Sequence, residues 1–245
     1  MPDIRRAVLN WSLLVWTAVL TLARCASAAP EYTIIDLGTL GGTSSVAAGI
    51  NDLGQVVGYS YTNGDADQHA FIYSNGVMTD LGTLGGDNSQ ATAINASGEV
   101  VGVSATSESP EHAFLYTGGI MKDLGTLGGT LSGASGINAS GQVVGSATTA
   151  GDGDYNAFIY ENGIMSNLNI QGGVNADAKG INNAGQITGS FQSGANDRAY
   201  ILSGGGFTDL GALGTSFSQG TGINSSGQAV GTSPTGGNNP GGAFL

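Results

Sequence analysis

The chain has 245 residues, with 18 acidic side chains against six lysines and arginines, a formal net charge of −12, and 44 glycines. Nucleic-acid binding requires several cations gathered on one face to neutralise phosphates, and beyond the first 28 residues only Lys122, Lys179 and Arg198 remain, scattered, which argues against that class of function. The same shortage argues against electrostatic attachment to an anionic membrane.

In chain order, residues 1–28 read as a secretory signal peptide. Arg5 and Arg6 open it, an apolar run from Ala7 to Leu22 follows, and Ala26-Ser27-Ala28 supplies the small-x-small cleavage site. The uninterrupted apolar stretch is too short for a membrane span. Arg24 stands where a lipoprotein box would need a small residue before Cys25. Cleavage removes Arg5, Arg6, Arg24, Asp3 and the single cysteine, which moves the charge to about −14 and leaves no thiol for a disulfide. Residues 29–245 are therefore expected to be one secreted, extracellular, monomeric domain held by packing and strand pairing alone.

That domain repeats. Asp36-Leu37-Gly38-Thr39-Leu40-Gly41-Gly42 returns letter for letter at Asp80 to Gly86 and at Asp123 to Gly129, then in worn form at Asn167 to Gly173 and at Asp209 to Gly214. The copies start 44, 43, 44 and 42 residues apart. A fixed period of this size marks a propeller or a solenoid, because each unit buries its apolar face only against its neighbours.

The second copy shows how a unit is built. A short strand at Ala91 to Asn95 turns through Ala96-Ser97-Gly98 into a second strand at Glu99 to Ser104. After a loop comes a third strand at Ala113 to Tyr116, then a turn at Gly118-Gly119 and a fourth strand at Ile120 to Leu124. The first turn is spelled Asn-x-x-Gly in all five copies, at Asn51, Asn95, Asn138, Asn182 and Asn224. Asparagine bonds its own backbone two residues on, and glycine accepts positive φ, so the spelling has a mechanism.

Four short strands in about 43 residues predict an all-β fold, a β-propeller of five four-stranded blades. The ends carry half a hairpin each: Tyr32 to Leu37 matches a fourth strand and Gly242 to Leu245 matches a third. Pairing of these N- and C-terminal strands is expected to complete the fifth blade and close the ring, which removes exposed edges.

The full unit combines Asp-Leu-Gly-Thr-Leu-Gly-Gly with Ile-Asn-x-x-Gly-Gln-Val-Val-Gly and His-Ala-Phe-x-Tyr, the last seen at His69-Ala70-Phe71 and His112-Ala113-Phe114. Over residues 34–245 it resembles the HAF-repeat family, a group of predicted extracellular bacterial repeat proteins. Asn156, Arg198 and Gly242 replace the histidine in the later copies. The resemblance implies secretion and repeat architecture, and brings no catalytic residue or ligand.

Candidate chemistry is sparse. No nucleophile motif, phosphate-binding glycine loop or metal-ligand cluster is spelled in residues 29–245, so a non-catalytic protein without a cofactor is expected. The pair His69 and His112 reads as polar residues at strand starts. The loops before the third strands carry Asp65 and Asp67, Glu108 and Glu111, Asp152 and Asp154, then Asp197. Asp65-Ala66-Asp67 and Asp152-Gly153-Asp154 offer two carboxylates each, so Asp65, Asp67, Asp152 and Asp154 are the candidate metal ligands, for calcium. The alternative for these four is solvated turn residues. Asn95-Ala96-Ser97, Asn138-Ala139-Ser140 and Asn224-Ser225-Ser226 spell glycosylation acceptors but coincide with the structural turn. The leading expectation is a binding module for a glycan or a surface protein. A structural or adhesive segment of a surface array and a glycoside hydrolase using paired acids are the alternatives.

Overall fold

The computed structural model describes residues 32–108, 110–170, 175–214, 217–235 and 242–245. The expected signal peptide, residues 1–28, and Asn238 and Asn239, which stand in the fifth repeat's loop where earlier copies carry acids, lie outside the described residues. Tyr32–Asp36 belongs to one compact unit and Leu37–Leu245 to another, and all strands lie in the second. Among the described residues every regular element is a strand, and none is a helix.

Three repeats follow one plan. In the first, β1 (Gly41–Ile50), β2 (Val56–Thr62), β3 (Gln68–Ser74) and β4 (Val77–Asp80) pair in order. The second repeat gives β5 (Gly85–Ile94), β6 (Val100–Thr106), β7 (Glu111–Thr117) and β8 (Ile120–Asp123). The third gives β9 (Gly128–Ile137), β10 (Val143–Thr149), β11 (Tyr155–Glu161) and β12 (Ile164–Asn167). A fourth sheet follows from β13 (Ala176–Ile181), β14 (Ile187–Ser193), β15 (Asn196–Ser203) and β16 (Gly206–Gly211). The last has three strands, β17 (Gln219–Ile223), β18 (Ala229–Thr232) and β19 (Ala243–Phe244). One parallel bridge, Gln68 to Asn88, joins the first two sheets. The first strands β1, β5, β9, β13 and β17 neighbour one another in that order, so the sheets are arrayed by their inner edges.

The first strand is longer than its apolar residues suggest. β5 and β9 reach back ten residues into Gly85-Gly86 and Gly128-Gly129, a stretch that reads as connector. Glycine carries no β signal, yet the bridges Leu84 to Thr106 and Leu127 to Thr149 anchor those starts. Each first strand also bears a bulge in its second half, between Ala91 and Ala93 in β5 and between Ala134 and Gly136 in β9. The bulge carries the partner backbone toward the glycine of Val-Val-Gly. A Cβ on Gly102 would lie 2.0 Å from the Gln90 carbonyl oxygen, and one on Gly145 2.0 Å from that of Gly133. Glycine is required there by close approach, since neither residue has positive φ.

The core lies between successive sheets. Leu81 and Val57 pack with Val100 and Phe114 of the next repeat, and Leu124 packs with Val143 and Phe158 of the one after. The third-strand aromatics Phe71, Phe114, Phe158 and Tyr200 are fully buried. Burying such a ring contributes about 1.5–3 kcal/mol.

The pairing expected of Tyr32 to Leu37 with the C-terminal strand is not seen in this structure. Residues 32–39 carry no strand, Ile34 is wholly exposed, and β19 pairs only with β18 among the described residues. Strands β4, β8 and β12 follow their partners through tight turns, so their pairing closes only a short loop. A strand at 32–37 must close a loop nearly as long as the chain, without that local help.

Candidate functional site

Two ends of the sheets invite comparison: the hairpin turns at one end and the loops before the third strands at the other. At the turns, the glycine four-residue pattern behaves as its spelling predicts. Gly98 and Gly141 have φ of 80° and 76°, and their N–H groups donate to the carbonyls of Asn95 and Asn138. The asparagine does more. Asn95 Oδ1 accepts from the N–H groups of Ser97 and Glu99, while its Nδ2 donates to Glu99 and to the backbone oxygen of Asn138 in the next repeat at 3.1 Å. The same hand-over runs from Asn51 to Asn95 at 3.0 Å, from Asn138 to Asn182 at 3.2 Å and from Asn182 to Asn224 at 2.8 Å. All four bonding positions of each amide in the relay are used. A polar cavity of about 240 Å³, lined by Asn51, Asn95, Asn138 and Asn183 with Ile50 and Ile94, lies among these turns.

A serine on the first strand, or just before it in the fifth repeat, makes a second clasp. Ser89 accepts from Ala70 N–H of the preceding repeat at 2.8 Å and donates to the Gly82 carbonyl at 2.6 Å. Ser132 does the same for Ala113 and Gly125, and Ser218 for Ala199 and Gly211.

The loop end is less uniform. Asp65 and Asp152 sit at positive φ, 56° and 54°, and each turns its carboxylate back onto a first strand. Asp65 Oδ1 accepts from Thr43 N–H at 2.8 Å, and Asp152 Oδ1 accepts from Thr130 N–H and the Thr148 hydroxyl, both at 2.7 Å. The Thr148 hydroxyl and then the Thr130 amide hold the Asp152 carboxyl below the usual carboxylate range. Asp67 and Asp154 contribute backbone carbonyls, which accept from Thr62 and Thr149. The four candidate calcium ligands thus stand in two separate loops, one oxygen of each leading aspartate already engaged by an amide. No group of three or more His, Cys, Asp or Glu able to hold a metal comes together among the described residues. The donor set does not fit a calcium site, which asks for six or more oxygens around one ion.

The histidines have a partner that sequence reading missed. His69 Nδ1 lies 2.8 Å from Asp80 Oδ2, and His112 Nδ1 lies 2.8 Å from Asp123 Oδ2. Arg198 takes the same place against Asp209 at 3.3 Å. Each of these aspartates also accepts the N–H of the glycine two residues on. Where the third copy has Asn156 for the histidine it also has Asn167 for the aspartate. That joint change was a legible signal of contact. Exposed pairs of this kind contribute about 0–1 kcal/mol and fix register more than stability.

Two cavities open at this end. One of about 460 Å³ is lined by Thr106, Ser107, Glu108, His112, Asp123 and Thr130. The other, of about 250 Å³, lies between the second and third repeats beside Glu111, Leu131 and Tyr155. Of the acids of the second repeat's loop, Glu108 lines the first cavity and Glu111 the second.

No family model matches the chain, and no curated protein resembles it in sequence. Among solved structures it is similar to TolB from Acinetobacter baumannii, with a TM-score of 0.50 at 15% identity, over 69% of this chain and 43% of that one. The fold is propeller-like. A second similar structure is the β-propeller domain of the Trilobed protease from Pyrococcus furiosus, with a TM-score of 0.47 at 9% identity, over 83% of this chain and 81% of that one. The chain spans less than half the length of the TolB chain, and the likeness concerns the propeller-like fold alone.

Proposed function

We propose that residues 29–245 form a secreted, non-catalytic binding module of the HAF-repeat kind, whose ligand is a glycan or a surface protein met on the loop end. The observation that carries this reading is the contrast between the two ends. At the turns the spelling Asn-x-x-Gly recurs five times, and in four of them the asparagine amide is consumed by the hand-over between repeats. At the loops, length, charge and lining differ from repeat to repeat, and cavities of about 460 and 250 Å³ open between them. A rigid scaffold with variable loops at one end is the usual layout of a recognition protein. Screening residues 29–245 on an array of glycans and purified surface proteins tests it: a saturable hit lost on substituting the loops supports the reading, and the absence of any hit overturns it.

The reading includes a closed five-bladed ring, with Tyr32–Leu37 as the fourth strand beside β19. Three observations support closure. The hand-over between repeats has two ends, the Asn224 amide and the Asn51 carbonyl, which a ring would join. A cavity of about 500 Å³ lined by Ile201, Leu210, Leu213, Ala229, Phe244 and Leu245 takes the place where Met121 and Tyr116 pack between the first two repeats. Leu210 is 39% exposed there, whereas its counterparts Leu81 and Leu124 are 6% exposed. In the repeat alignment Ile34 stands at the position of Met78 and Met121. Deleting residues 29–38 is expected to lower the melting temperature cooperatively, and a variant that melts like the parent rules closure out.

A further inference from the structure

We propose that the groove between the second and third repeats is a binding site for a neutral saccharide ring. The proposal rests on the binding-module reading above and names its ligand class and place.

The groove exists because one repeat departs from the others at one strand position. Gly133 pairs with Ser146 in β9–β10. The equivalent pairs are Val46 with Tyr59, Gln90 with Val103, Asp177 with Ser190 and Gln219 with Thr232. Every other repeat therefore carries a side chain where the third carries none. A Cβ built on Gly133 meets nothing within 4 Å, so the missing side chain leaves open space rather than a tight contact. The backbone does not require glycine there either, since Gly133 has no positive φ.

A second departure of the same repeat borders that space. Tyr155 opens β11 opposite Thr148, at the position held by Gln68, Glu111 and Asp197 in the first, second and fourth repeats. An aromatic ring at this position is confined to the third repeat among the described ones, and it is 46% exposed. The two changes fall on the same cavity of about 250 Å³, whose remaining lining includes Glu111, Leu131, Val103, Ser135 and Ser146.

These groups match the two chemistries of a pyranose. Its C–H face packs on an aromatic ring and aliphatic side chains, as Tyr155, Leu131 and Val103 offer. Its hydroxyls donate to a carboxylate in charge-assisted bonds and exchange bonds with serine hydroxyls, as Glu111, Ser135 and Ser146 offer. No lysine or arginine lines the groove, and the chain's net charge of −12 repels anionic sugars, which selects a neutral one. A cavity of this volume admits one ring, with further sugars of a chain lying on the open surface.

The test is saturation-transfer NMR and calorimetry on residues 29–245 with cellotetraose, mannotetraose and chitobiose. The parent is expected to bind at least one, with saturation strongest on one ring face. Gly133→Gln installs the residue that the second and fifth repeats carry and fills the groove without backbone strain. It is expected to raise Kd at least tenfold at an unchanged melting temperature. Tyr155→Ala is expected to do the same, and Tyr155→Phe to keep most of the affinity. Binding that survives both Gly133→Gln and Tyr155→Ala overturns the site. A parent that binds none of the three sugars overturns the saccharide class. If that parent still binds an acidic glycan or a surface protein on the array, and Gly133→Gln leaves this unchanged, the binding-module reading stands while this site falls.

Discussion

The two ends of the sheets answer different demands with the same repeat. At the turn end, Asn95 and Asn138 each fill four bonding positions, two of them inside the turn's own backbone and one on the next repeat. Nothing in such a residue is left to vary, and it does not vary. At the loop end, all three loops share one backbone bond, from the N–H of Thr62, Thr106 or Thr149 to a carbonyl across the loop, but only the first and third add an aspartate, Asp65 or Asp152, that caps a first strand. Several solutions suffice there. Uniform chemistry thus marks the end that holds the repeats together, and varied chemistry marks the end at which the proposed binding is placed.

The sharpest way to break this comparison is to substitute the strand glycines between the ends. Gly145→Ala places a Cβ 2.0 Å from the Gly133 oxygen, and the bulged backbone must move to admit it. A loss of about 4 kcal/mol, or failure to fold, is expected. Gly133→Ala, one strand away, meets open space and is expected to be nearly neutral. Equal denaturant midpoints for the two variants would refute the account of the bulge.

A smaller effect is expected at the turns. Asn138→Ala removes a relay member and leaves amide and carbonyl groups near the interior without partners, at a cost of about 3 kcal/mol. Asn224→Ala alters a turn of the same Asn-x-x-Gly spelling whose side-chain amide donates only to Gln228 among the described residues, and is expected to cost about half as much. If chemical denaturation gives the two variants the same loss, the bonds between repeats carry no weight.

The smallest effect concerns the loops and sharpens the reading of their acids. The Asp152 carboxyl is held below its ordinary range by Thr148 and Thr130, so the folded state prefers the charged form. That stabilisation is fully present above the ordinary carboxylate pKa and is lost as pH falls through the depressed value. Asp152→Asn is therefore expected to lower the melting temperature at neutral pH and to weaken its fall in acid, whereas Asp154→Asn is expected to change neither. Added calcium is expected to leave the melting temperature of the parent unaltered. A calcium-dependent rise that Asp65→Asn and Asp152→Asn abolish would restore the metal reading.

Much of this architecture is legible in the sequence where a residue's local chemistry and its structural role coincide. Asn-x-x-Gly fixes a turn by itself, so all five turns stand where the spelling puts them. The strand starts at Gly85 and Gly128 are not legible, because glycine has no β preference and those residues are held by distant partners, Thr106 and Thr149. The bonds from Asn95 to Asn138 and its counterparts are hidden for another reason. Their acceptor is a backbone carbonyl, which no side chain announces. The pairing of His69, His112 and Arg198 with Asp80, Asp123 and Asp209 was visible, since the third repeat changes both members together. The groove at Gly133 needed the register, for only strand pairing shows which residue of each repeat occupies the same place.

The amide hand-over gives the array a direction. Every repeat in it carries one plug, the asparagine Nδ2, and one socket, the asparagine carbonyl, and in the first four repeats the plug enters the socket of the repeat that follows. Junctions between repeats are therefore chemically interchangeable, and their contributions add along the chain as nearest-neighbour terms. Duplicating or deleting a whole unit of about 43 residues leaves each remaining amide hand-over with the parts it needs. A gene encoding such a protein can lengthen or shorten by copying errors without inventing a new interface, while its loops diverge unit by unit.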